Sequence, residues 1–523
     1  MHNISESKVI PAPVGGLNTV DSLADMPHTD AIVMRNFFPE QQGCSTRKGF
    51  RKHVVLPNGG VETLIPIRSV TGTSKLWAID QKGLVDVTVS RTAINSEYVF
   101  DLVNPQWQYV NFANAAGVHA LAFNGQENGL WFDPATSTWK RLVLAAVPAT
   151  PVSGEWAGID PKKLIQTCAH QKRIWAVEKD STRGWYLPPE QVWGIAKSFD
   201  FGGLFQRGGY LQSLTTWTMD SGDGMDDLLI AISSGGEVAI FDGIDPNSST
   251  TWSLRGVFTV GDTFTRRCFS KFGTDVMILT QYGLLTLNAI VGEGLDGVAA
   301  SALARKVQPL VSQLATERGD KEGWQLNNIS NLNTFVLNIP SSFSVTENFQ
   351  LVMNSITGAW CEFIGFQAQC WAGQYFGADG VVAYAFDGAL DDVDLNGVGG
   401  KAIICDCQQG FDYFDAIGRL KHFKLIQPSF LTGIPIQYSI AANMDFSFTA
   451  GTIPSTTSSG LNVGLWGYGT WGTSLWGGTP LSQKEWSSIV GLGFAASVRL
   501  SMSASVRVTW VTTTWVYEVG GII

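Results

Sequence analysis

Carboxylates are the side chains of this protein that come closest to a pattern able to do chemistry. They form two acidic clusters, one of Asp223, Asp226 and Asp227 and one of Asp391, Asp392 and Asp394. Paired carboxylates act as acid and base in glycoside hydrolysis, and carboxylate oxygens are preferred ligands of Ca²⁺. The first cluster lacks the Trp of a sialidase-type S-x-D-x-G-x-x-W turn, and the second lacks the Gly and final Glu of an EF-hand loop. Both clusters are therefore interpreted as solvated loops.

Signatures of nucleophilic, phosphate-binding and metal-binding sites are absent from the sequence. It contains no P-loop, HExxH or GxSxG pattern, and no two of its six His are four residues apart. Cys405 and Cys407 share one face of a predicted strand, but zinc needs two further ligands at matching spacing, so they are interpreted as a buried structural pair. The seven scattered Cys indicate the reduced thiols of a reducing cytoplasm. The sequence thus predicts no enzyme, no catalytic residue, no metal site and no cofactor.

The composition favours many short strands. Only 15% of the 523 residues are charged, 45% are hydrophobic and 57 are Gly, which is unlike a coiled coil or a disordered chain. The formal net charge is −10, without the basic stripe that DNA-wrapping proteins use. The opening residues lack the apolar core of a secretory signal. No apolar run reaches the ~18 residues of a membrane span, so no stable membrane insertion is expected.

Short apolar strands that end in Gly or Asp turns recur from residue 61 to residue 415. Examples are residues 75–80, 129–133, 173–177, 237–243, 276–280 and 382–388. The units recur about every 40–55 residues, which is the period expected of propeller blades. The sequence therefore predicts an all-β fold with a six-bladed β-propeller over residues 61–415, seven blades being the alternative.

One turn recurs within these units at a fixed spacing of an Asx, a Thr and a Trp. The two matching copies are Asp133, Thr136 and Trp139, and Asn354, Thr357 and Trp360; the segment from Asp245 to Trp252 is one residue longer. An Asx side chain accepts hydrogen bonds from turn amides, the Thr stabilises the same turn, and the Trp begins the returning strand and packs between sheets. These residues are predicted to form structural hairpin turns, similar to kelch turns but without the kelch double-Gly pattern.

Three segments depart from this strand pattern. Residues 1–60 are rich in Pro, Gly, Asn and Asp and are interpreted as an extended N-terminal arm that ends in a first strand. Residues 295–318 are interpreted as a helical insertion that packs on the blades. Residues 416–523 predict long antiparallel strands of a C-terminal β-sandwich-like domain. The apolar stripe of the insertion, which Pro309 divides into two short helices, is Leu303, Val307, Leu310, Val311 and Leu314.

A Trp-Gly tract interrupts the C-terminal domain at residues 461–480. Trp466, Trp471 and Trp476 are five residues apart, a spacing that presents one face of neither a helix nor a strand. Such a loop could stack on sugars or bases, lie at a membrane, or form the apolar centre of a subunit contact. The subunit contact is favoured, and these three Trp, with Phe37 and Phe38 of the arm, are the predicted assembly interface.

The opening of the chain carries the residues that point to a family. They are Gly15-Gly-Leu-Asn-Thr19, Asp21, Met26-Pro27, Asp30-Ala31, Asn36-Phe-Phe-Pro39 and Arg47-Lys-Gly49. This set resembles the start of tail hub proteins of short-tailed bacteriophages, which are also called nozzle, tail tubular or packaged-DNA-stabilisation proteins. The strand repeats, the Trp-Gly tract and the ending Val516–Gly521 are similar to that group as well.

The resemblance implies a structural virion protein. In that family a β-propeller chain forms a ring of six that continues the DNA exit channel below the portal and adaptor and retains packaged DNA until ejection. The implied partners are further copies in a homo-hexamer, the adaptor or portal-proximal ring, a tail fibre or needle protein, and genomic double-stranded DNA that passes without tight binding. The implied location is the virion tail, assembled in the cytoplasm of the bacterial host. The alternative is a propeller-type tail protein that binds or cleaves glycans.

Overall fold

The protein is almost entirely built of strands. The computed structural model describes residues 5–68, 74–91, 98–220, 225–298, 303–341, 348–449, 463–464, 475–476 and 481–522. Strands account for 54% of the chain and helices for 6%. Buried and less buried residues alternate along many of the longer strands, as in Arg419–Thr432, because successive side chains of a strand point to opposite faces. The predicted all-β class is confirmed.

Seven small antiparallel sheets of the described residues form a ring, as blades of a β-propeller. The first strand of each blade lies innermost. Neighbouring blades contact each other all the way round, blade 7 against blade 1 included; the contact joins innermost strands except between blades 4 and 5, where Leu211–Asp220 contacts the second strand, Asp275–Thr280. The propeller has seven blades, the second of the two predicted counts. Listed from the innermost strand outward, the first four blades are Thr63–Ile67, Lys75–Ile79, Gly83–Asp86 and Tyr98–Val99; Gln108–Asn114, Gly117–Phe123, Leu130–Asp133 and Thr138–Arg141; Leu164–His170, Arg173–Glu178, Arg183–Tyr186 and Lys197–Asp200; and Leu211–Asp220, Met225–Ser233, Glu237–Gly243 and Trp252–Thr259.

The last three blades are less regular, and the N-terminal region closes the ring. Two helices, α1 (Leu287–Val298) and α2 (Gln308–Arg318), follow blade 5, and Pro309 lies in the first turn of α2. The outermost strand of blade 7 comes from the N-terminal part of the chain, so strand pairing joins the two ends of the propeller. These blades are Phe269–Phe272, Asp275–Thr280 and Gly283–Thr286; Gln325–Ile329, Thr334–Ile339, Phe349–Asn354 and Trp360–Ile364; and Cys370–Ala372, Tyr375–Ala385 and Phe50–Gly60.

A β-sandwich of two sheets continues from blade 6. Its inner sheet is joined to the last strand of that blade, where Arg35 pairs with Glu362, and its outer sheet covers the opposite face. Large apolar side chains such as Met34, Leu500 and Trp510 fill the space between the sheets. The inner sheet is Ala31–Arg35, Lys401–Gln409, Ala496–Ala504 and Tyr438–Met444; the outer sheet is Ser5–Pro11, Phe37–Glu40, Gly43–Thr46, Val508–Ile522, Arg419–Thr432, Leu481–Lys484 and Ser487–Gly493.

The sandwich divides the chain differently from the sequence-based division. Four of its strands lie within the predicted arm of residues 1–60, and the strand Lys401–Gln409 lies before residue 416. The N-terminal segment Ser5–Pro11 pairs with Val508–Ile522, near the other end of the chain. The predicted arm and the predicted C-terminal domain therefore form one structural unit. The sequence suggests two units because strands that pair over such a separation leave no local pattern.

The remaining elements are short. A three-stranded parallel sheet of Val143–Leu144, Glu155–Ala157 and Gly194–Ile195 lies beside the early blades, and Leu390–Asp391 pairs with the start of Lys401–Gln409. Val463–Gly464 pairs with Leu475–Trp476. The 3-10 turns are Pro161–Lys163, Arg305–Val307 and Ser330–Leu332. In the part of the chain described above, neither helix has the length and apolar content that a bilayer span requires.

Candidate functional site

The two Phe of the predicted assembly interface lie within the chain's own sandwich. Phe37 has no exposed surface, and its ring centroid is 6.3 Å from that of Trp510. Phe38 is half-buried, 6.1 Å from Phe363. The strand of both residues pairs with Gly43–Thr46, which folds the arm back onto the sheet. A side chain without free surface cannot contact a neighbouring subunit, so the assignment of Phe37 to an assembly interface is corrected to a core position; for the partly exposed Phe38 it stays a prediction.

The three Trp of the Trp-Gly tract are only partly covered by the structure. Trp466 and Trp471 lie outside the described residues. Trp476 lies in the short strand Leu475–Trp476, which pairs in parallel with Val463–Gly464, and its side chain is not among those described. The assignment of these three residues to an assembly interface therefore stays a prediction.

Several residues that carry the family resemblance fasten the N-terminal segment to the helical insertion. The Lys306 ammonium lies 2.7 Å from Asp30 Oδ1 and donates to the carbonyl oxygen of Gly15 at 3.0 Å. The Asn18 side-chain amide donates to the carboxylates of Asp30 at 2.7 Å and Asp21 at 2.9 Å. Asp30 is almost fully buried, so this network supplies the pairing that a buried carboxylate needs. These residues therefore have an intrachain structural role.

A second network, centred on Arg47, joins the propeller to the sandwich. The Arg47 side chain has no exposed surface and pairs with the Asp391 carboxylate at 2.7 and 2.5 Å. It also donates to Asn36 Oδ1 at 2.8 Å and to the carbonyl oxygen of Ile364 at 2.7 Å. At Gly365, where φ is +116°, an added Cβ would lie 2.6 Å from Arg47 Nη2. The guanidinium therefore links its own segment to the segments of Asn36, Ile364 and Asp391. A side chain larger than that of glycine at position 365 would collide with it.

The three Asx–Thr–Trp turns all connect the third and fourth strands of a blade, in blades 2, 4 and 6. Asp133 accepts hydrogen bonds from the amide of Ala135 and the hydroxyl of Thr136, both at 3.1 Å. In the same way, Asn354 accepts a hydrogen bond from the backbone amide of Ile356 at 3.0 Å, and Asp245 accepts one from the backbone amide of Asn247 at 3.2 Å. Thr357 also accepts, from the amide of Ala359 at 3.3 Å. The Trp that follow, at positions 139, 252 and 360, are buried between sheets.

The turns of blades 2 and 6 also share a backbone conformation. Ser137 and Gly358 occupy the same turn position and have φ of +54° and +71°. The left-handed region is open to Gly but costs an L-residue with a Cβ about 1 kcal/mol or more. The turn geometry is therefore the repeated feature, and blade 6 has the residue better suited to it.

The acidic clusters are used within the chain. Asp392 pairs with Lys52 at 3.2 Å and with Lys401 at 3.1 Å. Burial is the largest single effect on the pKa of its carboxyl and raises it, but the two lysines together outweigh burial, so the pKa is lowered. Asp394 accepts hydrogen bonds from two backbone amides of its own loop. In the other cluster, Asp227 accepts from the Thr218 hydroxyl at 2.6 Å, whereas Asp223 and the Asp226 side chain lie outside the described parts. No group of three metal-ligating side chains is found among the residues described.

All seven Cys are buried and unpaired. Burial raises the pKa of Cys405 and Cys168 to about 12, since a thiolate is poorly stabilised in an apolar surrounding. The thiolate is the reactive form of cysteine. At neutral pH these side chains are therefore neutral core residues.

Residues of all seven blades line one cavity on the propeller axis, which we call the axial cavity. It has a volume of 670 Å³ and lies at the end where the innermost strands begin. Glu62 of blade 1, Gln212 of blade 4 and Gln369 of blade 7 are among its lining residues. Pockets of about 300–1,000 Å³ are typical of small-molecule sites. No local sequence pattern marks this cavity, because its residues come from separate segments of all seven blades.

Arg267 spans the propeller axis at this cavity. It precedes blade 5, and its Nη2 donates to the Glu62 carbonyl and the Thr63 hydroxyl of blade 1 at 3.0 Å each and to the Trp107 carbonyl of blade 2 at 3.2 Å. Blade 5 lies opposite blades 1 and 2 in a ring of seven. No polymer can pass along the axis while this bridge is present.

The charges of the axial cavity are nearly balanced. Burial raises the pKa of Glu322, while the charge of Arg267 opposes the shift and that of Glu62 adds to it. Burial lowers the pKa of Arg266, which donates to the carbonyl oxygens of Leu211 at 3.0 Å and Gln212 at 2.8 Å. Four cations and three carboxylates line the cavity, so that its formal charge is +4 − 3 = +1: Lys179, Arg266, Arg267, Lys321, Glu62, Asp320 and Glu322.

The outer sheet ends in an apolar strip at its edge. The strand Ser487–Gly493 pairs with Arg419–Thr432, and its other edge pairs with none of the described strands. Val490 is 90% exposed and Leu492 is 63% exposed, and both point away from the sandwich core. Trp486 and Phe494 at the two ends of the strand are also exposed. We call these four residues the edge strip.

Comparisons with known proteins give similarities of fold only. No family model and no curated protein matches the chain. Solved structures similar to it include YCF48 bound to a D1 peptide, at 10% identity over 69% of this chain and 100% of that chain, with a TM-score of 0.35. Sqt1 from Saccharomyces cerevisiae is similar at 10% identity over 59% of this chain and 68% of that chain, with a TM-score of 0.29. BBS1N in complex with ARL6DN is similar at 10% identity over 43% of this chain, with a TM-score of 0.27, and the match spans 64% of that chain.

Proposed function

We propose that this chain is a structural subunit of a bacteriophage tail, a nozzle or hub protein. Copies of it assemble into a ring that continues the DNA exit channel below the portal and adaptor and retains packaged DNA until ejection. The resemblance of the opening residues to that family supports the proposal. The proposed partners are five further copies, the adaptor or portal-proximal ring and a tail fibre or needle protein, and the proposed location is the virion tail.

The observation that carries the proposal is the edge strip. An unpaired edge strand with exposed apolar side chains promotes association, and monomeric proteins protect such edges with charges, Pro or bulges. Here Val490 and Leu492 extend from an edge without any charged residue between Ser487 and Gly493. Association with a neighbouring subunit would bury these side chains and pair the free backbone groups.

The charge of the chain is compatible with a DNA conduit. Six copies carry 6 × (−10) = −60 formal charges, and duplex DNA carries about one negative charge per 1.7 Å of its axis. Repulsion between wall and DNA acts over about 8 Å at physiological salt, which keeps DNA from adhering during ejection. Retention of DNA must then come from a steric constriction of the ring.

The mass of the assembly in solution tests the proposal. We expect the full chain to form a closed ring, with a mass near six subunits by native mass spectrometry or light scattering. The double variant Val490→Lys with Leu492→Lys should remain folded but monomeric, because it places two charges in the contact. Val398→Lys is the matched control, since Val398 is 65% exposed and lies in the loop between Leu390–Asp391 and Lys401–Gln409, outside the edge strip, and it should assemble normally. A wild-type monomer or trimer, or normal assembly of the double variant, would contradict the proposal; a monomer or trimer would favour the glycan-directed alternative.

A further inference from the structure

We propose that the axial cavity is a binding site for a short saccharide. This inference is independent of the proposed tail function, because it rests on the groups that line the cavity and not on how subunits associate.

Unpartnered amide groups are the first observation. The side chains of Gln108, Gln126, Gln212 and Gln369 line the cavity and make no hydrogen bond to any described residue. Gln212 is only 2% exposed, and its Oε1 has no partner. By contrast Gln166, which is equally buried, donates to the carbonyl oxygens of Thr167 and Leu214. The Oε1 atoms of Gln212 and Gln369 are buried without a partner, whereas the side chains of Gln108 and Gln126 keep accessible surface and are the amides directly available to a ligand.

The chemistry of an amide selects hydroxyl groups. A Gln side chain has one acceptor oxygen and two N–H donors, and a hydroxyl both donates and accepts. A fully deprotonated anion such as sulfate only accepts, so it would leave the amide oxygens without a donor. The carboxylates of Glu62 and Glu322 at the same wall are further acceptors for hydroxyl donors. A ligand with several hydroxyls on a rigid ring therefore matches this lining best.

The cations of the cavity are largely occupied by the protein itself. Arg267 donates to two backbone carbonyls and a hydroxyl across the axis, and Arg266 donates to two further carbonyls. With a formal charge of only +1, the cavity lacks the cluster of free cations that phosphate or nucleic acid requires. A neutral or weakly acidic ligand is therefore expected.

Shape and apolar surface agree with a sugar ring. Tyr210 and Phe264 are the aromatic residues of the wall besides Trp324. The Arg266 guanidinium lies over one face of the Tyr210 ring, 5.0 Å from its centroid, so the Phe264 ring and the other face of Tyr210 are the flat apolar surfaces that the C–H face of a saccharide requires. The bridge of Arg267 across the axis limits the depth of the cavity. The site therefore accepts the end of a chain or a short fragment, and not the interior of a long polymer.

Calorimetric titration of the full chain tests this inference. The probes are maltose, cellobiose, N,N′-diacetylchitobiose and digalacturonate, each up to about 10 mM, a range that detects millimolar affinities. We expect at least one disaccharide to bind. The Gln108→Ala and Gln126→Ala variants should each weaken this binding, and the double variant should weaken it at least tenfold. Gln313→Ala is the matched control, because Gln313 lies on the exposed face of α2 outside the cavity, and it should bind like the wild type.

Three outcomes would overturn the inference. They are the absence of binding by all four disaccharides, unchanged binding in the double variant, and binding of inorganic phosphate in place of sugars. Thermal melting of each variant shows whether it is folded. Gln126 is exposed, so Gln126→Ala alone tests the site if the Gln108 variant is destabilised. None of these results depends on the oligomeric state.

Discussion

Loss of Arg47 is expected to destabilise the protein more than loss of any exposed cation. The Arg47→Met change removes a guanidinium that is fully buried and keeps a side chain of similar length. It leaves the Asp391 carboxylate, which is 14% exposed, without its partner, and it leaves Asn36 Oδ1 and the Ile364 carbonyl without a donor. Removing one member of a buried ion pair typically costs about 3–5 kcal/mol, because the remaining charge stays desolvated. We expect the free energy of unfolding to fall by about that amount.

The assay is urea denaturation followed by Trp fluorescence, with Arg51→Met as the matched control. Arg51 lies four residues away and pairs with Asp387 at 3.0 Å, but the two side chains are 41% and 44% exposed. Such a pair contributes at most about 0.5 kcal/mol after solvent screening. Adding Asp391→Leu to Arg47→Met removes the uncompensated charge and should recover part of the loss. The reasoning is refuted if Arg47→Met costs no more than Arg51→Met, or if the double variant is less stable than Arg47→Met alone.

The other predictions concern the turns, the Trp-Gly tract and DNA. Asp133→Ala should lower the free energy of unfolding by about 1 kcal/mol, as for other lost side-chain caps. Ser137→Gly should raise it by about 0.5–1 kcal/mol, because it removes a Cβ from a left-handed turn position. If the two changes shift the thermal melt equally, the structural roles given to the two turn residues are wrong. Deletion of residues 461–480 should leave the circular dichroism of the strands unchanged and block ring assembly, and normal rings by electron microscopy would exclude this role for the tract. The isolated protein should show no measurable binding of duplex DNA at about 0.15 M salt in a fluorescence anisotropy titration, and a strong, salt-dependent affinity would contradict the conduit mechanism.

The blade turns show how far local sequence can determine structure. An Asx side chain that accepts from amides two or three residues later involves only neighbours in the chain. The spacing of Asp133, Thr136 and Trp139 therefore predicts their turn, and Asn354, Thr357 and Trp360 predict the same one. The same holds for Pro309, which is preorganised for the first turn of a helix.

The arm shows where local information fails. Phe37 and Phe38 follow a segment without periodicity, so local sequence predicts for them a contact with other subunits. In the structure Phe37 instead packs on Trp510, more than 450 residues later in the chain. The partner strand of such a pair leaves no trace in the local pattern, since strand pairing depends on backbone groups that every residue has.

Composition, strand period and turn chemistry are local properties, so they are enough to predict the fold class, the repeat of the blades and the absence of catalytic signatures. The count of seven blades depends on a contact between distant segments, because the strand Phe50–Gly60 completes blade 7. The union of arm and C-terminal strands in one sandwich and the axial cavity to which all seven blades contribute also depend on the tertiary structure alone. Each of these features joins segments that are far apart in the chain, and their contacts are set by the closure of the ring and the burial of the two sheet faces.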